Sequence, residues 1–153
     1  MSATTRRSDP GDAPQTSHRA EPRSRSTRVL LVEDEPLTAE VFARALTRAG
    51  HVVDVAKDGL QALRRLRERA PSIVVLDMSL PALSGAAVVR EVRASFRRDL
   101  PIVVVSGSDP RETRLTEQDL EPGIWLAKPI KPRRLVAIVR ALTRGGPDAL
   151  SDA

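Results

Sequence analysis

The sequence predicts an α/β domain, a doubly wound parallel sheet of five strands and five helices, (βα)5. Three observations carry that prediction. Short apolar runs recur at residues 28–32, 52–56, 73–76, 101–105 and 124–127, rich in Val and Ile and nearly continuous. Runs of that kind suit parallel strands buried on both faces. Stretches of helical period fall between the runs, and aromatic residues make up only 2% of the chain, so Leu, Val, Ile and Ala must build the core.

The first run ends abruptly in Glu33, Asp34 and Glu35, followed by Pro36. Glu35 and Pro36 read as a helix start, with Glu35 a first-turn acid favoured by the helix dipole. Over 37–49, Leu37, Val41, Ala45 and Ala49 fall on one face, and Gly50 is a natural stop. The second run ends in Lys57 and Asp58 and reads as an edge strand. Residues 59–69 then set Leu60, Leu63 and Leu66 in a stripe opposite an Arg-rich face. Residues 85–96 repeat the pattern with Val89, Val92 and Phe96. The signal near 110–119 is weak, and Pro122 behind a polar run predicts a short or irregular fourth helix. The cleanest amphipathic helix is 131–143, through Leu135, Ile138, Val139 and Leu142.

On this reading residues 28–144 form the domain. Residues 1–27, rich in Ser, Thr, Arg and Pro, read as a disordered basic tail, and 145–153 as a short polar end. Neither end offers a further globular segment, so a stand-alone domain is expected. The net charge of +5 is uneven: residues 1–28 hold six Arg against Asp9, Asp12 and Glu21. The tail has no aromatics for base stacking and no recognition helix is evident, which disfavours nucleic acid as a partner. With no Cys, structural disulfides, cysteine-ligated zinc and thiol catalysis are excluded. No apolar run approaches the roughly 18 residues of a membrane span, and no signal-peptide segment opens the chain, so a cytoplasmic location is expected.

The chemistry lies at the strand ends. In an open parallel sheet, ligands bind outside the carboxyl ends of the strands. There the first run meets Glu33 and Asp34, the third Asp77, the fourth Ser106 and the fifth Lys128 followed by Pro129. Two like charges about 4 Å apart repel by about 4 kcal/mol at an effective dielectric of about 20, so folding alone does not explain the acids. Hard oxygens without His or Cys suit Mg²⁺ or a similar cation. A carboxylate poised beside such a cation, with an ammonium and a hydroxyl at hand, is a phosphoryl-acceptor arrangement.

Taken together, "VLLVEDEP", "IVVLDMSLPALSG", "PIVVVSG" and "WLAKP" resemble the receiver domain of bacterial two-component response regulators, in order and spacing, over residues 28–143. The resemblance implies a flavodoxin-like sheet of order 2-1-3-4-5. It implies Asp77 as phosphoacceptor, with Asp34 a direct ligand of Mg²⁺ (or Mn²⁺), Glu33 completing the acidic pair, and the backbone carbonyl of Ser79 a further ligand. Ser106 and Lys128 would bind phosphoryl oxygens, and the Lys128–Pro129 peptide would be cis. Trp125 stands where the family has a movable aromatic, commonly Tyr or Phe, so both a switching ring and a core cap stay open. Ser106 replaces the more frequent Thr and keeps the hydroxyl.

By the same resemblance the partners are a sensor histidine kinase or phosphotransfer protein and a downstream protein target. Output would run through the surface of the fourth helix, fifth strand and fifth helix, or through onward phosphorelay. A phosphorylation-dependent homodimer is left open, as is a scaffold that keeps the fold without phosphorylation, although the intact acids, hydroxyl and lysine speak against the latter.

Overall fold

The computed structural model describes residues 26–144, so the expected tails lie almost wholly outside the described residues. The element order is β1 (Arg28–Val32), α1 (Pro36–Arg48), β2 (Val52–Ala56), α2 (Gly59–Arg69), β3 (Ile73–Asp77), α3 (Gly85–Glu91), β4 (Ile102–Ser106), α4 (Glu117–Leu120), β5 (Gly123–Ala127) and α5 (Pro132–Arg144). A π-helical turn, Val92–Phe96, extends α3, and a 3₁₀ turn, Pro110–Thr113, precedes α4. The strands form one parallel sheet of order β2-β1-β3-β4-β5, with β2 at the edge as expected.

The period-2 alternation of the strands divides the core into two layers. Leu30, Val32, Val74, Leu76, Ile102 and Val104 meet the residues of α2 and α3. Val29, Leu31, Ile73, Val75, Val103 and Val105 meet α1 and α5 on the other face. Every residue of β3 and β4 is buried. Each fully buried Leu or Ile contributes about 2 kcal/mol of transfer free energy, and this double-sided burial is what holds the strand ends in register.

Two helix faces differ from the sequence expectation. In α1 the packed face is Ala39, Phe42 and Leu46, while Leu37 and Val41 are 71% and 51% exposed. In α2 it is Gly59, Ala62 and Leu66, with Leu60 56% exposed. At α2 the reason is steric: a Cβ on Gly59 would stand 2.5 Å from the carbonyl oxygen of Leu83, in the loop between β3 and α3, so that inward position takes a glycine. Glu35 is also corrected. It is the N-cap of α1 rather than a first-turn acid, and its carboxylate accepts from the amides of Leu37 and Thr38 at 3.2 and 2.6 Å.

α1 ends in a Schellman closure. Gly50, at φ +94°, donates to Thr47 O at 3.0 Å, and His51 donates to Leu46 O at 3.1 Å. This turn buries the His51 ring, and neither ring nitrogen has a hydrogen-bond partner among the described residues. Burial first, and then the charges of Arg140 and Arg144 on α5, push its pKa below the ordinary 6.5. The neutral form is therefore the folded form. The unfolded chain takes up the proton first, so stability present above the ordinary value is lost as pH falls toward the folded pKa. Replacing His51 with Leu removes this term and an unpaired buried polar group. Thermal unfolding of His51→Leu is expected to be flatter than wild type between about pH 7 and about pH 5, with a gain of about 1 kcal/mol at neutral pH. An unchanged pH slope counts against this account.

Candidate functional site

The site stands on the carboxyl ends of β1, β3, β4 and β5. Glu33 and Asp34 directly follow β1, Asp77 closes β3, Ser106 closes β4, and Lys128 directly follows β5. The parallel registers bring these ends level: Val32 lies opposite Leu76, Asp77 opposite Val105, and Ser106 opposite Ala127. Carboxylate oxygens of Glu33, Asp34 and Asp77 lie within 4.8 Å of one another. Lys128 Nζ is 3.2 Å from Asp77 Oδ2 and 3.6 Å from Glu33 Oε2.

Local backbone fixes each group. The amide of Ser79 donates to Asp77 Oδ1 at 3.0 Å, and the amide of Glu35 donates to Glu33 Oε1 at 3.2 Å. The Ser106 hydroxyl is buried and accepts from the Ser108 amide at 3.1 Å, which leaves its own proton available to a further acceptor. The Lys128 amide donates to Ser106 O at 2.8 Å, so β4 and β5 are tied at the site itself. The Lys128–Pro129 peptide is cis, and so is Glu121–Pro122, which the sequence reading did not anticipate. Trp125 lies on β5 opposite Val104, half-buried against the α2/α3 layer.

Gly85 is a further site residue that sequence reasoning missed. A Cβ there would stand 2.6 Å from Met78 Cα and 2.7 Å from Asp77 O. The glycine lets α3, capped by Ser84, close against the loop that presents Asp77. Its only signal in the sequence is a Ser-Gly pair at a helix start.

One ammonium faces three carboxylates, so the cluster carries excess negative charge. Burial is the largest influence on Glu33, pushing its pKa above the ordinary 4.5. The Asp77 charge adds to the rise, while the Glu35 amide and Lys128 oppose it. The excess charge and the all-oxygen donor set fit a hard divalent cation such as Mg²⁺ or Mn²⁺, with Glu33, Asp34 and Asp77 as the holding residues.

A family model for the response regulator receiver domain matches residues 29–140. The chain is 36% identical over 119 residues to the response regulator MprA of Mycobacterium ulcerans, covering 78% of this chain and 51% of that protein. It is 34% identical over 122 residues to the sensory transduction protein RegX3 of Mycolicibacterium smegmatis, covering 80% and 53%. The chain thus spans about half the length of these curated relatives. A CheY-like receiver domain from Methanospirillum hungatei superposes with a TM-score of 0.72 at 17% identity, over 84% of this chain and 99% of that one.

The raised Glu33 pKa sets a sign. An acid whose folded pKa lies above the ordinary value loses its contribution as pH rises through the folded pKa, so the ionised group opposes folding at neutral pH. In the presence of chelator, Glu33→Gln is expected to melt above wild type, by roughly 4 °C for each 1 kcal/mol relieved. Millimolar Mg²⁺ should raise the melting temperature of wild type and leave the variant nearly unmoved. A Glu33→Gln protein that melts lower in chelator, or gains as much from Mg²⁺, would contradict the charge account.

Proposed function

The chain belongs to the response regulator receiver domain family, and from that premise we propose that Asp77 accepts a phosphoryl group from the phosphohistidine of a histidine kinase or phosphotransfer protein. The supporting observation is Lys128 Nζ at 3.2 Å from Asp77 Oδ2, inside a cluster of carboxylates whose oxygens lie within 4.8 Å of one another.

In the transfer, an Asp77 carboxylate oxygen forms a bond to phosphorus while the donor's P–N bond breaks, and the imidazole leaves with the electron pair. Lys128 neutralises a phosphoryl oxygen as charge develops, from a position already set by the tie between its amide and Ser106 O. Ser106 donates a hydrogen bond from its free hydroxyl to another phosphoryl oxygen. The amide of Ser79 on Oδ1 and the ammonium of Lys128 on Oδ2 hold the Asp77 carboxylate in place for the attack. Glu33, Asp34, Asp77 and the Ser79 carbonyl would hold a divalent cation, which would supply charge neutralisation for the transferring group. Water later hydrolyses the acyl phosphate, so the protein acts as a switch that assists its own phosphorylation and dephosphorylation.

The unit that switches is residues 28–144, and its output is the surface of α4, β5 and α5. Bringing the Ser106 hydroxyl to the phosphoryl group shifts the end of β4. Trp125, opposite Val104 on the next strand, then repacks beside Leu115 and Leu120, which line the same layer. A protein target or relay partner that binds the repacked surface shifts the population further. A cytoplasmic location belongs to the same proposal, and no helix among the described residues is long and apolar enough to cross a membrane.

With Mg²⁺ and a small acyl-phosphate donor, intact-mass measurement is expected to show one added, base-labile phosphate. Asp77→Asn should show none, and Lys128→Ala should slow uptake on the order of 10²-fold. An unchanged wild-type mass across several donors would sink the reading. Trp125 fluorescence should respond to phosphorylation, and a flat signal from a phosphorylated sample would leave the ring as a core cap.

A further inference from the structure

We propose that Arg93 is the fixed pivot of the output switch: rearrangement on phosphorylation runs through residues 107–116 and stops at the Arg93 clamp on 119–122. The proposal rests on the α4–β5–α5 output reading above.

The geometry begins with α4. Its four residues, Glu117–Leu120, make barely one turn, and a single turn cannot offset the entropy of its own nucleation. Its N-terminus is held by a capping box. Thr116 Oγ1 accepts from the Asp119 amide at 3.2 Å, and Asp119 Oδ2 accepts from the Thr116 amide at 2.7 Å. Its C-terminus is held by a guanidinium. Arg93 Nε donates to Asp119 O at 2.8 Å, and its Nη2 donates to Leu120 O at 3.2 Å and Pro122 O at 3.4 Å. Asp119 O and Leu120 O are carbonyls that a helix end leaves without partners.

The same guanidinium reaches the other way. Its Nη1 donates to Leu100 O at 2.7 Å and Arg97 O at 3.3 Å, just ahead of β4. Pro122 O in turn accepts from the Ile102 amide at 3.1 Å, where β4 meets the start of β5. One side chain on the π-helical turn therefore fastens the entry to β4, the end of α4 and the entry to β5. Burial pulls its pKa down, and the carboxylates of Asp119 and Asp99 oppose that fall. A lysine has neither the span nor the donor count to replace it.

The upstream half of the segment is bonded mainly to itself. It leaves Ser106 through Gly107, around which nothing lies within 4 Å of a built Cβ. It then runs through mostly exposed residues, ordered by the Asp109-capped 3₁₀ turn and by Thr113 Oγ1 donating to Pro110 O, to Arg114, at φ +57°. Its hydrogen bonds to α3 come from Arg90 Nη2, which reaches Thr113 O at 3.3 Å and Arg114 O at 3.4 Å from an exposed position. Motion that starts at Ser106 thus meets the two long Arg90 contacts first, and last the multidentate Arg93 clamp, led by its 2.8 Å bond to Asp119 O. Arg90 is the catch that releases; Arg93 is the point that stays.

Hydrogen exchange read by mass spectrometry on the full chain tests this, with Mg²⁺ plus beryllofluoride as the phosphoryl mimic. In wild type, exchange is expected to change across 107–116 and to stay constant across 119–123. Arg93→Met should raise exchange across 119–123 by at least about tenfold, Arg93→Lys should do so to a lesser degree, and both should keep phosphate uptake on Asp77. Peptides from β1 and β3 report whether the variants stay folded. Arg90→Ala should raise exchange in 107–116 alone. A mimic-induced change at 119–123 in wild type equal to that at 107–116 overturns the pivot alone, as does an Arg93→Met protein still protected there. Phosphate on Asp77 with no change in either segment overturns the output reading, and the pivot with it.

Discussion

An uncompensated charge at the sheet's carboxyl edge governs the rest of this structure. Glu33, Asp34 and Asp77 bring carboxylate oxygens within 4.8 Å of one another, and Lys128 answers with a single ammonium 3.2 Å from Asp77. Left to itself such a cluster would spread. It holds together because its groups are fixed through backbone: Asp77 as the last residue of a fully buried strand, Glu33 by the Glu35 amide, and Lys128 by the hydrogen bond of its own amide to Ser106 O. The two-sided core is what makes that fixing rigid. Leu76 and Val32 pair in register one residue before the acids, and a slip of one residue would turn buried apolar side chains to the wrong layer.

The apolar layers and the charged edge therefore depend on one another only in one direction. Burial of the Val- and Ile-rich strands forces the acids together, while the ionised Glu33 opposes folding. A chain under pressure for stability alone would discard them. Keeping them concentrates affinity for a cation where, on the proposed reading, phosphoryl chemistry needs it.

How much of this the sequence discloses follows from the range of the forces involved. The strands were readable because five short Val- and Ile-rich runs can be buried only as a parallel sheet, and their order could be taken from the resemblance. The site was readable because Glu33, Asp34, Asp77, Ser106 and Lys128 all follow apolar runs, and a parallel sheet puts all such ends on one edge. The inward faces of α1 and α2 were not readable. Hydrophobic size pointed to Leu37, Val41 and Leu60, but Ala39, Phe42 and Leu46 face inward in α1, and close approach to Leu83 requires Gly59 in α2. Gly85 and Arg93 were missed for a related reason. Both act on backbone atoms far along the chain, Gly85 on Asp77 and Met78, and Arg93 on carbonyls between Arg97 and Pro122. Side-chain patterns carry no record of which carbonyls lack partners.

The two halves of the molecule use backbone in opposite ways. At the carboxylate edge, amides point at Asp77, Glu33 and Ser106, so the main chain there is a set of donors facing oxygen acceptors. Around α4 the carbonyls are the unsatisfied groups, and a cation from α3 collects them. Strands β4 and β5 run between these two regions, joined at one end by Lys128 to Ser106 and at the other by Ile102 to Pro122. A displacement at Ser106 cannot slide the strands past each other without breaking one of those bonds. The cheaper path is the loop that leaves Ser106 through Gly107, where chain is exposed and few groups are held. The length and looseness of that loop, more than the strength of any contact at the acids, set how far a change of charge at Asp77 can be felt at the surface.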